Sequence, residues 1–302
     1  MSLNLVADVQ QMLGFHFMLN ALRAGTIVAV VAGAVGYFMV LRRQSFAGHT
    51  LATLGFPGAA GAVWLGAGAA IGYFGFCVAG ALVIALLPST SRPGSGLGGY
   101  GDESAAVGTV QAFASACGFL FVGLYGGYLS GLNNLLFGTI TAVSDSQVLL
   151  LLVAGVVCLV VLVALGRPLL FATIDPDVAR VHGVPVRAAG VAFLVLLGIA
   201  TAGASQVTGS LLVFALLVAP AAAATRLTAR PAAGAALSIV LALLVTWCGE
   251  TIAFFSPYPI GFWVTTLAFG VYVVATACRA GLEHRGHHGL PERCRTLPGV
   301  AP

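Results

Sequence analysis

Lysine is absent from this 302-residue chain, and charged residues of all kinds make up 7% of it. A soluble domain carries roughly 25% charged residues, so a water-soluble fold is excluded. Without lysine there is no G-K-[ST]. The Gly-, Ser- and Pro-rich loop 89–105 is therefore no phosphate cradle, since no strand precedes it either. It reads as a flexible linker, and the chain has no nucleotide site of its own. The marks of a membrane-embedded enzyme are also missing: there is no intramembrane H-E-x-x-H, no paired Asp and no G-x-S-x-G. The six cysteines are isolated, with no C-x-x-C. The five that lie in apolar runs (Cys77, Cys117, Cys158, Cys248, Cys278) read as small core hydrophobes. The start of the chain carries Asp8 and no basic stretch, so no cleavable signal peptide is expected. The net charge of +4 does not point to nucleic acid, because the arginines are scattered along loops.

What is present is apolar. Hydrophobic residues make up 59% of the chain, and its mean hydropathy is +1.03. Nine apolar segments are long enough to read as spans. They run roughly over 18–41, 47–68, 70–88, 106–127, 148–166, 189–205, 207–224, 232–254 and 259–278. The second and third could merge into one re-entrant unit. The sixth and seventh are separated only by Gln206 and demand a tight turn. The expected fold is an all-α integral membrane protein of about nine transmembrane helices. Residues 1–278 form the membrane domain, and 279–302 form a cytoplasmic tail expected to be disordered. That tail carries His284, His287, His288 and Cys294, which could buffer a metal.

The arginines orient the spans. With nine spans and the N-terminus outside, twelve of the thirteen arginines fall on the cytoplasmic side, and Arg23 snorkels from the outer end of the first span. The C-terminus is then cytoplasmic in the cell membrane. So is the polar island of residues 167–188, which separates two uncharged runs. Within the island, Asp175 reads as a helix N-cap and Pro176 as the first helical residue. Asp177 lies in the first turn, where the dipole favours it. Gly183 and Pro185 stop the helix. A short helix on a loop between spans has no work to do in lipid, so it is placed to touch something in the aqueous phase.

Few polar residues lie at membrane depth. Glu250 is near the outer end of its span, where it is either an interfacial carboxylate or a path-lining one. His49 is either a packing histidine or a substrate contact. Asn20 and Gln111 suit interhelical hydrogen bonds.

Three stretches carry a resemblance: residues 41–58, the island, and residues 208–227. They hold Arg42, Arg43, Ser45, Gly48, Leu51, Pro57 and Gly58, then Asp175, Pro176, Asp177, Ala179, Gly183 and Val184, then Gly209, Leu211, Pro220 and Ala221. Leu136, Phe137 and Gly138 fall between the first two. In this order and spacing they resemble the permease subunits of ABC importers for zinc, manganese or iron. The resemblance runs from about residue 18 to 278. It implies a homodimer around a central path, two cytoplasmic ATPase subunits that bind the ATP, and an extracytoplasmic solute-binding lipoprotein. It also implies that Asp175, Pro176, Asp177, Arg180 and Gly183 belong to a coupling helix that enters an ATPase cleft.

The departures are systematic. The family's Asp and His on the second span are His49 and Thr53 here. The Asp of a Leu-Phe-Gly-Asp element is Thr139, and an Asp-x-Pro-x-Gly reads Pro257 to Gly261. By family position His49 and Thr53 line the path, four residues apart on one helix face. Together they offer one imidazole and one weak hydroxyl. His49 is thus the candidate metal ligand, and if a bare divalent ion is carried it favours zinc over manganese. One alternative keeps the scaffold and moves a chelated metal or a non-metal. An ion-coupled secondary transporter is the remoter one, because it needs paired intramembrane carboxylates and only Glu250 is available.

Overall fold

A computed structural model describes residues 12, 14–86, 99–125, 143–209 and 213–288. Every regular element among them is a helix. The order is α1 (His16–Leu41), α2 (Ser45–Trp64), α3 (Ala69–Leu86), α4 (Gly99–Leu124), α5 (Asp145–Ile174), α6 (Pro176–Val181), α7 (Val186–Thr208), α8 (Val213–Leu227), α9 (Pro231–Phe254) and α10 (Ile260–His288). Seven of these described helices are long and apolar enough to cross a membrane: α1, α3, α4, α5, α7, α9 and α10. α2 has 20 residues, but its glycines, threonines and His49 lower its hydropathy. α8 is apolar and only 15 residues long.

The helices sort into two groups joined by a shared middle. α2 packs on α3 and α4, and α8, α9 and α10 pack on one another. α1 and α7 lie between, with α1 against α9, α8 and α5, and α7 against α3, α5 and α2. Small residues allow this closeness: α1 buries five alanines (21, 24, 29, 32, 34) together with Gly25, Gly33 and Gly36. In lipid, such close van der Waals contact is the main attraction between helices. The large apolar side chains of α4 and α5, such as Phe113, Phe119, Val160 and Val163, point outward instead.

Several sequence boundaries move. α2 and α3 are two helices joined by a turn at residues 65–68. Gln206 lies inside α7, and the break comes at Gly209, whose φ is +81°. α5 continues through Arg167 and Pro168 to Ile174, so the first third of the polar island is helix. At 1.5 Å per residue its 30 residues span about 45 Å, well beyond a hydrocarbon core of about 30 Å. α4 starts at Gly99, inside the segment read as linker, and α10 runs to His288, ten residues into the segment read as tail. Residues 289–302, with Cys294, lie outside the described residues, as do Leu136, Phe137, Gly138 and Thr139. Only two of the five cysteines read as core are buried, Cys77 and Cys158. Cys248 and Cys278 are exposed on helix surfaces. An apolar run does not distinguish a core face from a lipid face.

Candidate transport path and cytoplasmic coupling site

The island folds by local rules. Asp175 Oδ1 accepts hydrogen bonds from the backbone N–H of Asp177 (3.1 Å) and Val178 (3.0 Å). Those are two of the donors a helix start leaves free. Pro176 follows at the first position of α6. After Val181 the chain turns through Gly183 at φ +77°, a conformation that suits glycine. The N–H of Val184 donates to the Ala179 carbonyl at 3.0 Å, which closes the turn. Arg180 Nη1 donates to Asp177 Oδ1 at 2.7 Å in open solvent.

One face of α6 anchors it and another is bare. Ala179 is fully buried, and the His182 ring stands edge-on to Phe171 of α5, with centroids 5.6 Å apart. Val181 is 86% exposed and Ile174 is 78% exposed, with Val178 beside them. Exposed apolar side chains on a polar loop between long apolar helices suit a protein partner.

His49 and Thr53 lie one turn apart on α2. His49 is half-buried, its ring edge-on to Phe214 in the first turn of α8, with centroids 5.0 Å apart. Its Nδ1 is buried with no hydrogen-bond partner. Thr53 Oγ1 donates to the Thr50 carbonyl at 2.8 Å, which leaves its lone pairs available. Beside them Thr50 Oγ1 donates to Gln111 Oε1 of α4 at 3.0 Å. Gln111 therefore holds an interhelical hydrogen bond, as does Asn20, whose Nδ2 donates to Asp145 Oδ1 of α5 at 2.8 Å.

Glu250 sits elsewhere. It is fully buried on α9, and neither carboxylate oxygen has a partner. It faces Gly25 of α1, where an added Cβ would strike the carboxylate. Gly25 is nine residues into α1, about 13 Å along its axis. The carboxylate is thus buried between α9 and α1, well inside the start of α1. The structure brings His49 and Thr53 together but leaves Glu250 apart, since α2 packs chiefly on α3, α4 and α7 and α9 on α1, α8 and α10. Among the described residues no three of His, Cys, Asp and Glu converge as a metal site.

A family model matches residues 14–279, described as the ABC 3 transport family. The chain belongs to the ABC 3 transport family. It is 33% identical over 210 residues to the manganese import system permease protein ScaB of Streptococcus parasanguinis, covering 70% of this chain and 72% of that one. It is 31% identical over 227 residues to the manganese transport system membrane protein MntC of Halalkalibacterium halodurans, covering 75% of each. Among solved structures it resembles PsaBC from Streptococcus pneumoniae in complex with Fab. The TM-score is 0.78 at 26% identity, with 90% of this chain and 95% of that chain covered. The chain is thus the membrane subunit of a metal ABC importer, with multiple helices in the membrane and no ATPase motif of its own.

One residue of this ABC 3 chain has a role that charge counting missed. Arg42, read as an orientation mark, ties three helices together. It follows α1 directly, its Nη1 donates to Thr173 Oγ1 of α5 at 3.4 Å, and its guanidinium lies 5.4 Å from the Phe193 ring centroid of α7. Burial lowers its pKa below the usual arginine range. Arg43 beside it adopts φ +57°, uncommon for a residue with a side chain. The turn that leads into His49 is thereby fastened to the end of α5, immediately before α6. The sequence signal was the pairing of Arg42 with a polar residue three before Pro176, which becomes legible only once α5 is known to reach Ile174.

Proposed function

We propose that this chain carries a divalent metal ion through the cell membrane, powered by ATPase subunits that dock on α6. The observation that carries this reading is the match of the ABC 3 family over residues 14–279, joined to a short capped helix with a bare apolar face. In this reading α2 and α8 cross the membrane with the seven longer helices. The N-terminus then lies outside, and twelve of the thirteen arginines are cytoplasmic. A single cysteine at 285 that reacts with an impermeant reagent from outside intact cells would overturn that orientation.

Two copies of the chain enclose the path, and an extracytoplasmic binding protein delivers the cargo. His49 and Thr53 line the inner part of the path, and Glu250, buried between α1 and α9, is reached from its outer part when those helices separate. ATP binds the partner subunits and closes them. Their motion is received by Ile174, Val178 and Val181 and passed through Phe171, Thr173 and Arg42 to the turn before α2. A ligand or nucleotide can bias such a lever only through contacts that differ between its two states. The names of the relatives weigh towards manganese, against the zinc preference that His49 alone suggests. Manganese is therefore the first ion to test.

Charge reversal at both Asp177 and Arg180 tests the coupling step. Their pairing is solvent-exposed, so fold stability should change little. ATP turnover of the purified complex, stimulated by the binding protein, should collapse. Unchanged stimulation would remove α6 as the ATPase contact.

A further inference from the structure

Glu250 has no place among the satisfied polar groups of this fold. Both of its oxygens are buried and unpartnered. One turn earlier on the same helix face, Thr246 Oγ1 is also buried and unpartnered. Three oxygens from one turn of α9 therefore meet no donor among the described residues. The ion pairs described, His16–Asp145 and Asp177–Arg180, leave Glu250 out. Arg23 is exposed, and its charge is felt by Asp145 at the start of α5. A buried carboxyl keeps its charge only when it is paired or ligates a cation, and otherwise holds a proton that an arriving cation must displace.

The surroundings shape an entrance. Outward of Glu250, Phe254 stacks at an angle on Phe15 and Phe17, with ring centroids 5.9 and 6.4 Å away, and on Phe255 at 4.9 Å. These rings, with Met12 and Met18 packed beneath them, close the outer end of the seam between α1 and α9. Across from the carboxylate lies Gly25, with no side chain of its own. Trp247 Nε1 donates to Thr26 Oγ1 at 2.9 Å and latches the seam from the side.

We infer that Glu250, with the Thr246 hydroxyl, is a binding site for a hard divalent cation in the outer half of the membrane, shut by the phenylalanine cluster and entered when α1 and α9 part. Oxygen donors alone suit manganese better than zinc, which takes nitrogen and sulfur more readily. The cation would pass Glu250 first and the His49 imidazole later. Selectivity is then set first by the carboxylate, and the histidine adds a nitrogen donor later in the path. The inference rests on the metal-import reading above.

The test uses the complete complex in proteoliposomes, with radioactive manganese and zinc offered separately. Glu250→Gln should raise the KM for manganese by about tenfold or more. Zinc uptake should change less, and Glu250→Asp should recover part of the loss. A role confined to packing would leave both KM values unchanged, because glutamine has the same shape and no charge. If Glu250→Gln does not assemble, the unaltered complex is treated with a hydrophobic carbodiimide, and modification at 250 is read by mass spectrometry. Manganese, supplied with binding protein and ATP, should protect Glu250. Equal modification with and without manganese overturns the site. If the unaltered complex imports manganese and Glu250→Gln does so with the same KM, this inference falls and the metal reading stands. If the unaltered complex imports neither ion, both fall.

Discussion

The polar island around α6 and the α1–α9 seam each hold carboxylates, and they treat them in opposite ways. On the island, Asp175 accepts two backbone N–H groups and Asp177 pairs with Arg180, all within reach of water. In the seam, Glu250 is buried against Gly25, and neither of its oxygens has a hydrogen-bond partner among the described residues. The first arrangement is scaffolding: its polar groups are satisfied locally so that apolar side chains can be held out to a partner. The second is unfinished, since desolvating a carboxylate costs several kcal/mol and no described residue compensates it. A satisfied polar group shapes a surface, whereas a buried unpartnered carboxyl holds a proton or leaves room for a cation.

The largest effect should come from destroying what the island presents. Val181→Asp puts a charge on a side chain that is 86% exposed, so folding should be untouched. If that valine enters an ATPase cleft, stimulated ATP turnover should fall by about tenfold or more, as when an interface hot spot is lost. Wild-type turnover would mean that the bare face meets no partner.

In the seam, Gly25→Ala forces a methyl against the carboxylate. Overpacking of this kind costs about 1–3 kcal/mol, read as a lower Tm of the solubilised complex. Pairing it with Glu250→Ala should return most of the loss, because the two sites share one space. Additive losses would show that the two residues do not meet.

His49 offers a subtler contrast. His49→Ala should weaken uptake of zinc more than of manganese, while His49→Asp should keep manganese and lose zinc. Equal effects on both ions would make His49 a packing residue against Phe214. The smallest change is Asp175→Ala. Losing the N-cap should cost about 1 kcal/mol, confined to α6 and visible as faster hydrogen exchange at Asp177 to Gly183. Unaltered exchange there would contradict the capping role.

The island was legible in the sequence because capping is local: Asp175, Pro176 and Gly183 act on backbone within a few residues of themselves. The apolar segments were legible for a similar reason, though their ends were not. Pro168 does not stop α5, and the glycine-rich linker turns helical at Gly99. The burial of Glu250 was not legible, because counting along α9 says nothing of the α1 helix that covers it. The exposure of Cys248 and Cys278 was hidden for a related reason, since lipid and core ask for the same side chains. Arg42 looked like one charge among twelve because its partners, Thr173 and Phe193, lie more than a hundred residues away.

The central claim is that this chain imports a divalent metal ion under ATP control. The most direct measurement is uptake of radioactive manganese by proteoliposomes that hold this chain, its ATPase and its binding protein. The account predicts saturable uptake that stops without ATP and stops without the binding protein. Zinc should enter with a higher KM. Stimulated ATP hydrolysis with no entry of either ion would contradict the account and leave the same scaffold carrying a chelated or non-metal cargo.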